Sequence, residues 1–287
     1  MNQNINVPIT LLIPCKNEEA NIERCLKSVS WASEIFVVDS QSTDNTLKIA
    51  QKFDAKIVQF HYKGGWPKKK NWALENIQFC NDWVLILDAD ETLPPETEQE
   101  IRSIVSNPEN NHSGYWINRR YFFLGKPLKY AYFPNWNLRL FKHKLGRFEK
   151  ITDLATNSGD HEIHEHVVVQ GSTGRLKSIM DHHAFPTIES FVEKHNRYSN
   201  WEAIVEKEQK EEADLIQHRD VKLKRKLRMV FRKLPFRPTL RFLYVYIWQK
   251  GFLDGWPGYV FARLHGQYEF LSVVKMKDFS KSKIEPR

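Results

Sequence analysis

Two aspartates directly follow an apolar run in the stretch Trp83-Val84-Leu85-Ile86-Leu87-Asp88-Ala89-Asp90. The run is short, uncharged and rich in branched side chains, which is typical of a strand buried on both faces of a sheet. Side chains alternate at the end of a strand, so Asp88 and Asp90 are expected to face the same side. Two carboxylates on one side can hold a hard divalent cation, Mg²⁺ or Mn²⁺. The stretch therefore predicts a buried strand that ends in a candidate metal site.

Apolar runs of the same kind recur earlier in the chain and alternate with helical patterns. They cover residues 9–14, 35–38 and 56–58. Near-continuous apolar strands that alternate with helices predict an α/β fold, a mostly parallel sheet with helices on both faces. Ligands bind at the carboxyl ends of the strands in such sheets. The polar groups that fall there are Glu18 and Glu19, Asp39, lysines 68–70 and the Asp88/Asp90 pair.

The chain changes character after residue 112. Residues 113–180 are rich in aromatic side chains and short alternating runs, which predicts partly antiparallel strands with long loops. Loops of this kind commonly carry substrate-binding residues. A long, charged helix is predicted from residue 188 to about residue 218.

The positive charge of the chain is concentrated near its C-terminal end. Of the 43 Lys and Arg residues, ten lie between Val221 and Lys250, a segment that contains no acid, and the rest of the chain is nearly neutral. Apolar side chains are interleaved with these cations, which is typical of helices that lie on anionic membranes. Nucleic-acid binding is the less favoured alternative, and a scaffold helix over residues 240–248 is a third.

Composition argues against several other classes of protein. The three cysteines form no Cys-x-x-Cys pair, which indicates reduced thiols in a cytosolic protein rather than a disulfide framework. The first residues, Met1-Asn2-Gln3-Asn4, are polar and are not typical of a secretory signal. The uncharged apolar run from Phe242 to Trp248 is too short to span a membrane. We therefore expect a cytoplasmic protein.

Three ordered motifs resemble those of the family 2 glycosyltransferases, which are inverting enzymes with the nucleotide-diphosphosugar (GT-A) fold. They are Ile-Pro-Cys-Lys-Asn-Glu-Glu at 13–19, Val-Val-Asp-Ser-Gln-Ser-Thr-Asp at 37–44 and Leu-Ile-Leu-Asp-Ala-Asp-Glu at 85–91. The resemblance implies a nucleotide pocket and a metal site. By resemblance, Pro14, Asn17, Glu18 and Asp39 line the nucleotide pocket, and Asp90 is the principal metal ligand. Ser40, Lys70 and Asp88 are further expected donor-binding residues, and Asp88 is the second expected metal ligand of the aspartate pair. His182 or His183 is expected to add a metal ligand or to line the donor site, with a neutral structural histidine as the alternative.

The sequence departs from the family pattern at Ser40, and the role of the basic cluster at residues 68–70 has two interpretations. Many members carry a second acid where this chain has Ser40, so the acid that contacts the base is not identified. Lys70 belongs to a basic cluster, residues 68–70, which the resemblance places near the donor phosphates. The alternative interpretation of that cluster is an ordinary solvated charge run.

Several shorter segments resemble a narrower bacterial group, the lipopolysaccharide core β-glucosyltransferases and related cell-envelope sugar transferases. They cover residues 135–141, 163–165, 182–183, 194–198 and 250–255. The resemblance implies a UDP-sugar donor, a membrane-bound glycolipid acceptor and a peripheral location on the inner face of the cell membrane. Trp136 and Arg139 are the expected acceptor residues. Because Arg139 lies in an otherwise apolar strand, its guanidinium group is also expected to pair with a carboxylate or a phosphate.

Inverting transfer requires a carboxylate that accepts the proton of the acceptor hydroxyl. Glu165 is the first candidate for this base, and Asp181 is the second. Glu165 lies in a cluster of histidines and glutamates at residues 161–166, but the spacing there is not that of the His-Glu-x-x-His zinc motif. A zinc site is therefore not expected.

The sequence thus predicts three functional segments. Residues 1–112 form a nucleotide-sugar-binding half, residues 113–220 an acceptor-binding half, and residues 221–287 a basic, amphipathic, helical membrane-associating extension. Two other functions share some of these features. A nucleotidyltransferase requires a Gly- and Arg-rich loop after the first strand, which residues 14–18 do not supply. A non-catalytic glycan- or membrane-binding module would tolerate loss of the aspartate pair, which is intact.

Overall fold

The computed structural model describes residues 6–150, 166–208 and 234–281. Its first part follows the predicted alternation of strands and helices. The elements are β1 (Val7–Cys15), α1 (Ile22–Ser28), β2 (Ala32–Asp39), α2 (Thr46–Gln51), β3 (Lys56–Gln59), α3 (Lys69–Asn76), β4 (Trp83–Ile86), β5 (Glu91–Thr92) and α4 (Pro95–Ser106). The α/β prediction is confirmed.

The later strands complete one mixed sheet and add a separate two-stranded pair. They are β6 (Gly114–Phe123), β7 (Lys126–Pro127), β8 (Trp136–Lys142), β9 (Gly146–Phe148), β10 (Val167–Val169) and β11 (Thr173–His182). The sheet order is β3-β2-β1-β4-β8-β6-β11-β5, with β7 beside β6, while β9 and β10 form an antiparallel pair of their own. Strands β1 to β4 pair in parallel, and β8 pairs antiparallel with both β4 and β6. The predicted partly antiparallel second half is therefore confirmed.

Strand β1 shows why the apolar runs are continuous. Leu11 and Ile13 belong to a core that includes residues of α1 and α4, whereas Leu12 belongs to a second core that includes residues of α3. All three side chains are fully buried. A strand covered by helices on both faces needs apolar residues at every position, not at alternate ones.

The chain divides into two compact units. Within the described residues, the first unit consists of residues 6–120, 134–150 and 166–184, and the second of residues 121–133, 185–208 and 234–281. The predicted division at residues 112 and 220 concerns functional segments, and it stays a prediction.

The second unit is mainly helical. It contains α5 (Ile188–Glu208), α6 (Arg237–Leu243), a π-helical turn (Tyr244–Trp248), a 3₁₀ turn (Gly251–Asp254) and α7 (Gly255–Lys281). The predicted helix from residue 188 is confirmed through Glu208, and the rest of it lies outside the described residues. Residues 221–233 of the basic block, with seven of its ten cations, also lie outside them. None of the described helices is both long and apolar enough to cross a membrane.

Candidate active site

The loops that follow β1 and β2 are joined by a set of short hydrogen bonds. The Oδ1 atom of Asn17 accepts a hydrogen bond of 2.8 Å from the backbone N–H of Thr43, and the Oγ atom of Ser42 accepts one of 2.8 Å from the N–H of Asn17. Asn17 has a φ of 54°, a conformation that asparagine tolerates better than most residues. The first two predicted donor motifs therefore meet at the carboxyl ends of their strands.

Asp39 ends β2 and is fully buried. Its carboxylate accepts hydrogen bonds from the N–H of Ser42 (2.9 Å) and from Nε2 of Gln59 (3.0 Å). Burial by itself raises the pKa of Asp39, but the hydrogen bonds from Ser42 and Gln59 outweigh burial and hold the pKa below its ordinary value. The neighbouring Ser40 donates its N–H to the carbonyl oxygen of Cys15 at 3.1 Å. Asp39 is thus held as an anion at this edge of the sheet.

The lysine cluster at residues 68–70 is buried, and its interpretation as a solvated charge run is wrong. The side chain of Lys69 is fully enclosed, and its Nζ donates a hydrogen bond of 2.8 Å to the carbonyl oxygen of Cys15. Lys70 forms an ion pair with Asp88, with 2.9 Å between Nζ and Oδ1. Helix α3 begins at this cluster, so its first turn carries cations toward the ends of β1 and β4.

Asp88 lies at the centre of a buried ionic network. Its Oδ2 accepts a hydrogen bond of 2.7 Å from Arg139, whose Nη2 also contacts Oε1 of Glu91 at 2.9 Å. Arg119 contacts the same oxygen of Glu91 at 3.2 Å. Burial alone raises the pKa of Asp88, but Arg139 and Lys70 hold it well below its usual range. The predicted carboxylate partner of Arg139 is confirmed, while the acceptor role of Arg139 stays a prediction.

The two aspartates of the decisive stretch face different partners. Strand β4 ends at Ile86, and residues 88–90 form a turn, so side-chain alternation along a strand does not apply to them. Asp88 contacts Lys70 and Arg139, whereas Oδ1 of Asp90 lies 3.2 Å from Nε2 of His182. The expectation that both carboxylates face one side is corrected, because the strand ends before the pair begins.

Asp90 and His182 fit a divalent cation that also binds a diphosphate. Two ligands at right angles on an octahedral ion with bonds of about 2.1 Å are roughly 3 Å apart, close to the separation of these two atoms. Within the described part of the chain no group of three or more His, Cys, Asp or Glu could hold a metal by itself. Asp90 and His182 could therefore supply two ligands, and such ions commonly take their other ligands from water and substrate phosphates.

The remaining predicted residues have separate surroundings. Both oxygens of Asp181 accept hydrogen bonds from Arg120, at 2.8 and 3.1 Å. The ring of Trp136 lies 5.2 Å from the guanidinium carbon of Arg175. Glu165 lies outside the described residues, so its role stays a prediction.

Sequence reasoning missed Glu91 as a site residue. Its side chain is fully buried, and it accepts hydrogen bonds from Arg139, Arg119 and the N–H of Asp88. The available signal was its position directly after the aspartate pair, where a buried strand has just ended. An acid that closes such a turn is expected to bind the free N–H groups there.

A mixed sheet with these ionisable groups at the carboxyl ends of its parallel strands is that of the GT-A glycosyltransferases. The chain belongs to glycosyl transferase family 2, whose family model matches residues 10–166. The family resemblance and the fold predicted from the sequence are both confirmed.

Two relatives cover 94% and 71% of the chain. It is 28% identical over 280 residues to the lipopolysaccharide core biosynthesis glycosyltransferase LpsC of Rhizobium meliloti, which covers 94% of this chain and 92% of that protein. An uncharacterized glycosyltransferase of Rickettsia conorii is 34% identical over 210 residues, 71% of this chain and 72% of that one.

A solved structure supports the fold alone. The mannosyltransferase PcManGT of Pyrobaculum calidifontis, in complex with GDP-Man and Mn²⁺, superimposes with a TM-score of 0.52. It is 15% identical and covers 96% of this chain and 88% of that one. The likeness extends beyond residues 1–112.

Proposed function

We propose that the protein transfers a sugar from a nucleotide diphosphosugar, a UDP-sugar, to a hydroxyl group of a membrane-bound glycolipid, with inversion at the anomeric carbon. The observation that carries the proposal is the convergence of Asp39, Asp88 and Asp90 at the carboxyl ends of the parallel strands. Lys70 and Arg139 bring positive charge to the same edge. An edge with both signs of charge suits a nucleotide diphosphate and its cation.

The two joined loops are suited to bind the nucleoside. Asn17 and Asp39 are fixed by hydrogen bonds from the second loop, and Pro14, Glu18 and Ser40 flank them. Their conformation is therefore set before the donor arrives, which lowers the entropic cost of binding. Lys70 is directed by Asp88, and its ammonium group supplies a point charge for the donor phosphates.

Asp90 and His182 would hold the cation, Mg²⁺ or Mn²⁺. When bound, such an ion neutralises the charge that develops on the departing diphosphate. The ionic network around Asp88 fixes the turn that carries Asp90, because Glu91 and Arg139 connect that turn to strand β8. Asp88 is compensated by two cations, so Asp90 is the principal ligand in the proposal.

The proposed reaction is a single displacement. The oxygen of the acceptor hydroxyl attacks the anomeric carbon, and the bond from that carbon to the diphosphate oxygen breaks, with its electron pair leaving on the nucleoside diphosphate. The hydroxyl proton passes to Glu165, the proposed base. Asp181 is the second candidate, and its ion pair with Arg120 favours Glu165, because both Asp181 oxygens are already hydrogen-bonded. One displacement inverts the anomeric configuration.

The proposed acceptor is a glycolipid at the inner face of the cell membrane. Two observations support it: the relative LpsC is a lipopolysaccharide core biosynthesis glycosyltransferase, and the block from Val221 to Lys250 has ten cations and no acid. Such a block is attracted to anionic lipids. Trp136 remains the proposed acceptor contact, while nucleic acid is not favoured as a partner.

The decisive experiment is a panel of nucleotide sugars tested for protection against thermal unfolding, with and without Mn²⁺. One UDP-sugar is expected to raise the melting temperature by several degrees in a metal-dependent way, because a ligand that binds the folded state stabilises it. The product of that donor, examined by NMR, should have the inverted configuration. Protection by a nucleoside triphosphate alone would favour a nucleotidyltransferase, and sugar-nucleotide binding without turnover would favour a binding module.

A further inference from the structure

The segment from the end of α6 to the first turns of α7 carries large apolar side chains that are exposed. Trp248 and Trp256 are 80% and 68% exposed, although tryptophan is highly buried on average in folded proteins. Further exposed apolar side chains of the same segment are Leu243, Tyr244, Ile247, Phe252, Leu253 and Tyr259. We call residues 243–259 the apolar corner. Single exposed apolar side chains need no explanation, but a large contiguous set marks an interaction surface.

The members of the apolar corner are neighbours in space. The ring of Tyr259 has its centroid 5.6 Å from that of Trp256 and 5.6 Å from that of Tyr246, which in turn lies 6.2 Å from Phe252. In the π-helical turn, the exposed residues are spaced three and four apart, while Val245 is fully buried. The aromatic rings of Trp256, Tyr259, Tyr246 and Phe252 therefore form one cluster, and the exposed residues of the π-helical turn lie in the same short segment.

The backbone of the apolar corner is fixed by tertiary hydrogen bonds. The carboxylate of Asp254 accepts the N–H groups of Lys129, Tyr130 and Ala131 at 2.8, 3.0 and 2.7 Å. A Cβ atom at Gly258 would collide with the carbonyl oxygen of Gly251, so the start of α7 lies directly against the 3₁₀ turn. The outward direction of the tryptophans is thus built into the second unit.

Cations lie in and beside the apolar corner. Asp254 is the first acid after residue 220, and its carboxylate is directed to the three backbone amides. Lys250 is exposed within the corner, and the guanidinium of Arg263 lies 5.6 Å from the centre of the Phe242 ring. Tryptophan, tyrosine and aliphatic side chains next to cations are typical of surfaces at the membrane–water interface. A nucleic acid would not use the aliphatic side chains, because bases stack on aromatic rings.

We propose that the apolar corner inserts into the interfacial layer of a lipid bilayer that contains anionic lipids, with Trp248 and Trp256 as anchors. The insertion is interfacial, because no described helix can cross the membrane. This inference deepens the proposed function, because it names the surface that brings the enzyme to a glycolipid. Membrane insertion itself does not depend on the proposed function, but its use for sugar transfer rests on that function.

The first test measures partition of the full chain onto glycolipid-free vesicles of phosphatidylglycerol and phosphatidylethanolamine at high salt. The W248S/W256S variant is expected to bind about tenfold more weakly or worse, because the loss of roughly 60 Å² of apolar contact already changes a partition coefficient by that factor. The control is F270S, which removes an aromatic side chain that is 54% exposed on α7. Phe270 lies about 21 Å along the helix from Trp256, at 1.5 Å per residue. Equal binding by W248S/W256S and the control would overturn the proposal.

The second test keeps vesicle binding intact and removes the two tryptophans whose fluorescence reports insertion. W248F/W256F retains aromatic contact, so it should bind the same vesicles, but quenching of tryptophan fluorescence by brominated lipids should fall. Quenching that is unchanged in W248F/W256F overturns the insertion of these two side chains. Reversing the charges of Arg225, Lys226 and Arg228 should weaken binding at low salt only, because screening already removes that attraction at high salt.

The third measurement separates this inference from the proposed function and from self-association. Transfer to a water-soluble fragment of the acceptor should be equal in W248S/W256S and in the natural sequence, and a failure of transfer in both would contradict the proposed function alone. Sedimentation in the absence of vesicles should give the same mass for both proteins. Dimerisation that the two substitutions abolish would overturn the proposal and assign the apolar corner to a second copy.

Discussion

Each compact unit of the chain buries ion pairs, but the two sets are built differently. In the first unit, Asp88 and Glu91 are held by cations from α3 and from strands β6 and β8, elements far apart in the sequence. In the second unit, Glu269 of α7 contacts Arg237 and Arg241, which lie one turn apart on α6. The first set fixes a turn that carries Asp90 at the edge of the sheet, whereas the second fixes one helix against another. A buried ion pair therefore indicates a site only where it fixes a segment that carries a candidate ligand, as Glu91 does for the turn of Asp90.

The largest effect is expected at Asp90. The Asp90→Ala variant should lose transfer by about 1000-fold or more, because it removes the principal ligand of the cation that stabilises the leaving diphosphate. Metal-dependent protection by the donor should disappear with it, while the melting temperature of the free protein stays nearly the same. The matched control is Asp82→Ala, which removes an exposed aspartate directly before β4. Full activity of the natural sequence in EDTA would contradict a role for a cation.

Two matched substitutions compare the ion pairs of Glu91 in the first unit with those of Glu269 in the second. Glu91→Gln and Glu269→Gln should each lower the free energy of unfolding by about 3 kcal/mol, because each removes the charge of a buried carboxylate that two guanidinium groups contact. Only Glu91→Gln is expected to raise the KM for the donor, since only Glu91 fixes the turn that carries Asp90.

The control for that pair is Glu98→Gln, which breaks a half-exposed contact of 3.0 Å with Arg102. It should cost less than about 0.5 kcal/mol. Chemical denaturation and donor titration measure the two quantities. A donor KM that rises equally in Glu91→Gln and Glu269→Gln would remove the distinction between site and scaffold.

The proposed base gives the next effect. Glu165→Gln keeps size and hydrogen bonding but removes basicity, so kcat should fall by about 100-fold with donor affinity nearly unchanged. The acid limb of the pH–rate profile should disappear. Asp181→Asn is the comparison variant, and it should act mainly through the position of Arg120. If Glu165→Gln loses donor affinity and keeps its turnover, Asp181 becomes the leading candidate.

The smallest effect concerns acid stability of the second unit. Burial lowers the pKa of His195 to about 4. The unfolded chain binds a proton near pH 6.5, so it takes up protons before the folded chain does and stability falls as pH falls. Between pH 7 and pH 5 this histidine should cost roughly 2 kcal/mol of folding free energy. In the first unit the pKa values of Asp39 and Asp88 are lowered instead, so both carboxylates stay charged in the folded state between pH 7 and pH 5.

Denaturation at several pH values measures this effect. His195→Phe is the informative variant, because His195 is stacked on Phe191 with 3.8 Å between ring centroids and a phenyl ring suits that place. The variant should show a smaller loss of stability between pH 7 and pH 5. An unchanged pH dependence would assign the acid sensitivity to other groups, with buried His265 as the first alternative.

The sequence by itself determined the fold class and the edge of the sheet at which the site lies. Continuous apolar runs follow from burial on both faces, and polar residues after those runs follow from strands that end at one edge. Asp39, Asp88 and Asp90 were found in this way, and the family followed from the motifs around them.

Only the tertiary structure decided which charged groups pair. A run of three lysines has the same local pattern whether it is solvated or buried, and the packing of α3 against the ends of β1 and β4 enclosed Lys69 and Lys70. Asp88 and Asp90 are two residues apart, yet a turn directs one to Arg139 and the other to His182. Ion pairs between residues tens of positions apart depend on how elements pack, and no local pattern contains that information. The exposure of the apolar corner could not be predicted for the same reason. Whether an apolar side chain is buried depends on which elements pack against it, and the sequence does not give that packing.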